Sequence, residues 1–296
     1  MGPHAQARSD APMAASAAAM SELERIAAAA LDKINRENFP VALRVLPARA
    51  RDHLRRAYVY ARFVDDVGDC AAGDRLALLD VVDQDVQELA GGTPKLAPVR
   101  NLAPLVADDG LTLQPLQDLV EANRCDQRVS RYATFDELLD YCRLSAAPVG
   151  RIVLAIAGVT DPAAIAESDK VCAALQVLEH CQDVVEDFAA GRVYLPAADL
   201  DRFHVPDADL RDAVTSARLR RVIELRTSRA EQLLAEGRPL IGRLRRWARL
   251  AVVGYVAGGR ATIAALRRAD YDVLAQQVKP TTLDTVRHAA RLAVGR

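Results

Sequence analysis

Aromatic side chains are scarce in this 296-residue chain, at 4%, and no run of Val, Ile or Thr alternates with polar residues between turn signals. A half-buried strand needs that alternation, so its absence argues against a sheet-built fold. Cysteine is equally sparse: Cys70, Cys125, Cys142, Cys172 and Cys181 are odd in number and widely spaced, with no C-x-x-C pair. That speaks against a disulfide scaffold and a thiolate zinc site, and the thiols read as small core residues in a reducing compartment. No stretch of about 18 uninterrupted apolar residues occurs, and so no spanning helix is predicted. Even Leu250 to Ala265 is broken by Gly258, Gly259 and Arg260. Neither charge is in excess, since 39 Lys and Arg face 40 Asp and Glu. Whole-molecule charge thus gives no reason to expect nucleic acid as a partner, and any anion site must be local.

What the chain does have is helix-forming composition. Hydrophobic residues make up 51% and charged residues 27%, with Ala, Leu, Arg, Glu and Gln prominent. Apolar positions recur three and four apart in blocks near 21–36, 48–70, 74–90, 114–129, 134–158, 161–190, 208–236, 239–269 and 281–294. Turn signals separate them, among them Gly91-Gly92-Thr93-Pro94 and Thr160-Asp161-Pro162. The expectation is an all-α, single-domain helical bundle over 21–296. It is preceded over 1–20 by an Ala-, Ser- and Pro-rich leader, read as mobile, whose Arg8 and Asp10 rule out a signal-peptide core.

Two acidic rows stand out. Asp65 and Asp69 lie four apart, and Glu179, Asp183 and Asp187 follow at i, i+4 and i+8. On a helix each set stacks along one face, where like charges repel by a few tenths of a kcal/mol per pair. A single row of this kind is most often a solvated face. Two rows inside strongly apolar blocks suggest carboxylates that face partly inward and need partners. Hard oxygen-seeking cations suit them, and Mg²⁺ commonly divides its coordination among one or two carboxylates, water and a substrate phosphate. If the two helices faced one another across a bundle, the rows would wall a cavity for metal and a diphosphate. Arg62 lies one turn before Asp66, and Arg192 and Tyr194 follow the second row, placing cations and a phenol nearby.

Three segments resemble the squalene and phytoene synthase family of head-to-head prenyl transferases. They are Tyr58 to Asp69, Tyr141 to Gly150, and Gln176 to Pro196. The resemblance implies the class I isoprenoid synthase fold with a central active-site cavity, and two aspartate-rich motifs that bind Mg²⁺ and the diphosphate of farnesyl or presqualene diphosphate. Carried over by residue, Asp65, Asp69, Asp183 and Asp187 match metal-binding aspartates, and Arg62 and Arg192 match basic residues near the diphosphate. Tyr58, Gln176 and Tyr194 match polar residues lining the reaction centre. Glu179 stands where the family commonly has Asn, and is expected to serve as a further metal ligand. Glu37 to Val41 and Arg143 to Gly150 look like the hopanoid-pathway hydroxysqualene synthases, although that subgroup usually has Asn where Ala147 stands. The implied reaction is ionisation of presqualene diphosphate, rearrangement and capture by water. The alternative is condensation of two prenyl diphosphates, and pathway enzymes before and after it are the expected partners.

The segment Val149 to Val159 would suit the wall of a hydrocarbon tunnel, although ordinary core packing explains it equally well. His180 points about 100° away from its neighbours on a helix and reads as packed. His53, His204 and His288 lack companions at metal-ligand spacing. Arg243, Arg245, Arg246 and Arg249 adjoin Trp247, Leu250 and Tyr255, a basic apolar stretch able to lie on a membrane surface. The expectation is a cytoplasmic protein in which this stretch is core packing with a solvated Arg face, with peripheral contact at the inner face of the cell membrane as the alternative.

Overall fold

The structure, a computed structural model, describes residues 7–36 and 46–294. The Glu37 to Val41 motif lies outside the described residues, as do the first six residues of the leader. The all-α expectation holds: among the described residues there are fifteen α-helices, short 3₁₀ turns and a single isolated bridge between Arg131 and Val193. The chain divides into two compact units, up to Gln127 and from Arg128, each described by itself.

The first unit contains α1 (Ala7–Arg36), α2 (Ala48–Cys70), α3 (Arg75–Gln87), α4 (Ala97–Arg100), α5 (Ala103–Asp109) and α6 (Gln114–Arg128). Residues 7–20 continue helically into the 21–36 block as α1. The apolar side of α2 buries Ala57, Tyr60, Phe63, Val64 and Val67, and Tyr60 donates its hydroxyl hydrogen to Leu116 O on α6 at 2.8 Å. Asp74 caps α3 by accepting from Ala77 N at 3.1 Å. The buried Asp85 carboxylate accepts from Lys95 N at 2.7 Å and Leu96 N at 2.9 Å, which satisfies the backbone leading into α4.

The second unit contains α7 (Phe135–Ser145), α8 (Ala147–Ile156), α9 (Pro162–Gln182), α10 (Val184–Ala189), α11 (Ala197–Arg202), α12 (Ala217–Gly237), α13 (Leu240–Arg243), α14 (Arg246–Arg268) and α15 (Thr282–Val294). Thr134, Asp161 and Ser216 cap α7, α9 and α12 with their side-chain oxygens. α9 packs chiefly on α12 and α8. Glycine permits the close crossings. A Cβ at Gly150 would meet Ser168 Oγ at 2.5 Å and Cys172 Sγ at 2.6 Å, and one at Gly237 would meet Val171 Cγ2 at 2.6 Å.

Several boundaries differ from the periodicity reading. The 134–158 block is two helices, because Pro148 opens α8 and has no N–H to continue α7. The 208–236 block begins as a 3₁₀ turn, and α12 starts only after Ser216. The 239–269 block breaks at Leu244 and Arg245, whose extended backbone separates α13 from α14. The short helices α4, α5 and α11 carry too few turns to show a period.

Candidate active site

In the first unit, burial of one side of α2 turns the opposite side outward. Tyr58, Arg62, Asp65 and Asp69, spaced i, i+4, i+7 and i+11, share that outer face. The sequence reading placed part of the acidic row against the core, and here the structure corrects it. The buried carboxylate of α2 is Asp66, at 5% exposure, and its Oδ1 lies 3.2 Å from Arg62 Nε. Asp65 and Asp69 are open to water. Adjacent helical residues point about 100° apart, which is enough to bury one aspartate of the pair and expose the other.

Open to water is not the same as fully hydrated. Protein crowds the Asp65 carboxyl and pushes it up from 3.8 to about 6, with repulsion from Asp69 and Asp66 adding to the effect. A hydrogen bond from Asn123 Nδ2 to Asp65 Oδ1 at 3.2 Å and the charge of Arg62 act the other way. Asn123, on α6, was not among the residues read from sequence. It lies 58 positions from Asp65, and no local pattern connects the two.

In the second unit, α9 carries Gln176, Glu179 and, at its end, Asp183. Asp183 has φ −100° and ψ 24° and ends the helix, so the 161–190 block is α9 and α10 rather than one helix. The row survives the break. Asp183 N donates to Glu179 O at 2.9 Å and Asp187 N donates to Asp183 O at 2.8 Å, so the one-turn spacing persists. Incomplete hydration raises the carboxyls of both Glu179 and Asp183, and repulsion from Asp187 adds to each.

After α10, Gly191 at φ 80° turns the chain. Val193 N then donates to Ser130 O at 2.8 Å, which sets Tyr194 among other rings. Its ring stacks on His180 with centroids 3.8 Å apart and planes 14° apart, and Tyr141 and Tyr132 follow at 5.6 and 5.9 Å. Arg192, Asp187, His180 and Tyr194 line one small recess. Of the residues singled out from sequence, Gln176, Asp187, Arg192 and Tyr194 thus gather around His180, which itself packs as expected.

The same unit holds an apolar cavity of about 210 Å³. Val149, Val153, Leu154, Val171, Leu175 and Val252 are among its walls, so the Val149 to Val159 segment does face a cavity. Gln176 and Glu179 form its polar margin toward the end of α9.

The donor set suits a hard divalent cation. Among the described residues, no three acidic, imidazole or thiol side chains converge as a ready cage. Mg²⁺ does not need one, because water and substrate oxygens complete its shell. Asp187 Oδ2 is buried without a hydrogen-bond partner among the described residues. A neighbouring cation would satisfy that oxygen and relieve the repulsion that raises Glu179 and Asp183.

A helical fold with no strand among the described residues, two acidic rows and an apolar cavity places the protein in the all-α isoprenoid synthase class. The chain belongs to the squalene/phytoene synthase family, whose sequence model matches residues 33–284. It is 34% identical over 210 residues to the hydroxysqualene synthase of Rhodopseudomonas palustris, covering 71% of this chain and 72% of that one. It is 27% identical over 251 residues to the 15-cis-phytoene synthase of Synechococcus elongatus, covering 80% and 82% respectively. Among solved structures it is similar to squalene synthase HpnC from Alicyclobacillus acidocaldarius, with TM-score 0.77 and 37% identity over 88% of this chain and 97% of that one. Among the described residues no helix is long and apolar enough to cross a membrane.

Proposed function

We propose that this chain is a Mg²⁺-dependent hydroxysqualene synthase. The carbon–oxygen bond of presqualene diphosphate breaks with its electrons leaving on diphosphate, the cyclopropylcarbinyl cation rearranges, and water adds with loss of a proton to give hydroxysqualene. The observation that carries the reading is the course of α9. Its cavity face runs along apolar walls to Gln176 and Glu179, Asp183 caps its end, and Asp187 follows one turn on in α10. The α9–α10 segment therefore offers surface for a hydrocarbon and, a turn or two further on, oxygen ligands suited to a diphosphate's counter-ion.

In this reading Asp65, Asp69, Asp183 and Asp187 hold Mg²⁺, with Glu179 as an additional oxygen donor. The bound metal supplies charge neutralisation for the departing diphosphate. Arg62 and Arg192 hold diphosphate oxygens as hydrogen-bond donors. Gln176 and Tyr194 shape the polar margin around the cation, Tyr58 takes the role that the family resemblance assigns it, and the apolar walls keep bulk water from the rest.

Similarity to a phytoene synthase over 80% of this chain favours a second reading, head-to-head condensation of two prenyl diphosphates. Incubation of purified protein with Mg²⁺ and either presqualene diphosphate or farnesyl diphosphate, without NADPH, separates the two by mass spectrometry. Hydroxysqualene from presqualene diphosphate alone supports the first. Presqualene diphosphate accumulating from farnesyl diphosphate supports the second. The proposal extends to peripheral contact with an anionic membrane, since Leu250 and Tyr255 on α14 are exposed at 63% and 51% in the helix that carries Arg246 and Arg249. Flotation with anionic but not neutral vesicles is the expected outcome.

A further inference from the structure

His180 is the one buried imidazole in the second unit's acidic region, and its ring touches three residues of the proposed site at once. Its Nε2 lies 3.4 Å from Gln176 Nε2, its Nδ1 lies 3.7 Å from Asp187 Oδ2, and its face stacks on Tyr194 at 3.8 Å. An amide NH₂ can only donate, so in this arrangement Gln176 donates to Nε2 and the neutral ring carries its hydrogen on Nδ1. Nδ1 is the ring nitrogen placed near Asp187 Oδ2, the buried oxygen without a hydrogen-bond partner. At 3.7 Å the approach is longer than a hydrogen bond, so a direct bond requires the carboxylate to turn toward the ring.

We propose that His180 is a positioning residue: it aims the Asp187 carboxylate with its Nδ1–H while its ring fixes the plane of Tyr194. The inference rests on the reading of Asp187 as a Mg²⁺ ligand. Its physical basis is general, because a hydrogen bond to the outer side of a ligating carboxylate restricts its rotamers before the metal arrives. The two jobs use different parts of the same side chain. The Nδ1–H serves Asp187, and the flat ring serves Tyr194. The Gln176 amide ties them together by fixing which nitrogen carries the hydrogen.

Two variants of the full chain separate these jobs. His180→Phe keeps a flat ring against Tyr194 and removes the donor. His180→Asn keeps an N–H and removes the ring. Isothermal calorimetry with Mg²⁺ in the presence of inorganic diphosphate reads the first job, and the near-ultraviolet circular dichroism of the tyrosines reads the second. His180→Phe is expected to weaken Mg²⁺ binding about tenfold or more with the tyrosine spectrum retained. His180→Asn is expected to recover much of the affinity while changing that spectrum. Mg²⁺ affinity in His180→Phe equal to that of the unsubstituted protein overturns the inference, as does absence of Mg²⁺ binding by the unsubstituted protein. If Mg²⁺ binds but neither prenyl diphosphate is turned over, the proposed function fails, and the role of His180 is still decided by the calorimetry.

Discussion

Asn123 Nδ2 reaches Asp65 Oδ1 at 3.2 Å because position 68, one turn along α2, has no side chain. A Cβ on Gly68 would stand 2.1 Å from Asn123 Oδ1 and 3.2 Å from its Cβ, so the clash reaches back to the stem of the asparagine. Gln127 Nε2 also donates to Gly68 O at 3.0 Å, which pins α6 to the same spot. Gly68→Ala is therefore expected to lose about 1–3 kcal/mol in urea denaturation, the usual range for an overpacked helix contact. An Ala variant as stable as the parent would show that the two helices shift apart without cost.

The raised Asp65 carboxyl makes a pH prediction with a definite sign. Its value in the fold is about 6 against an ordinary 3.8, so the fold favours the protonated form. That contribution is fully present below the unfolded value and is lost as pH rises through the folded one. Asp65→Asn cannot ionise and escapes the loss. In metal-free buffer, its unfolding midpoint should match the parent near about pH 4 and exceed it by roughly 2 °C near about pH 8, a small gain because water reaches this side chain. A difference that does not change with pH would count against the crowding and repulsion described for Asp65.

Arg226 on α12 is 1% exposed, and its guanidinium pairs with Asp199 of α11 while lying 4.2 Å above the ring of Phe135 on α7. Burial pushes Arg226 down to about 10, with the Asp199 charge opposing. Removing one member of such a pair leaves a charge stranded in the interior. Asp199→Ala should cost roughly 3–5 kcal/mol, whereas combining Asp199→Leu with Arg226→Met should restore most of the stability. Equilibrium denaturation of both variants gives the answer, and a harmless Asp199→Ala would mean that water enters to solvate the arginine.

The sequence was most informative where the physics is local. The bounds of α2 follow from its apolar period, and the break at Thr160-Asp161-Pro162 marks the start of α9, which Asp161 caps. The stacking of Asp65 and Asp69 on one face was likewise readable as helical spacing, although that this face points outward was not. What periodicity could not give was which of the adjacent Asp65 and Asp66 is buried, because the answer depends on the exact rotation of α2 against its neighbours. Asn123 was invisible since its partner lies on another helix. The stacking of His180 on Tyr194 depends on the turn at Gly191 and on Val193 pairing with Ser130, two long-range backbone events. The break at Asp183 carries no proline or glycine to announce it.

Val153 on α8 faces the apolar cavity, and its size can be changed without touching the acidic rows. A cavity of about 210 Å³ that receives hydrocarbon should be sensitive to its filling. Val153→Phe places a ring where the chain would lie, at a stability cost of about 1–3 kcal/mol for the added bulk. Turnover of presqualene diphosphate should fall roughly tenfold or more, since the prenyl chain can no longer be seated with its diphosphate in place. Val153→Ala enlarges the same wall and should leave turnover within about threefold of the parent, provided the product remains C30. Far-ultraviolet circular dichroism of both variants controls for folding. If Val153→Phe folds and turns over at the parental rate, hydrocarbon does not occupy this cavity, and the course of α9 from apolar wall to carboxylates loses its functional meaning.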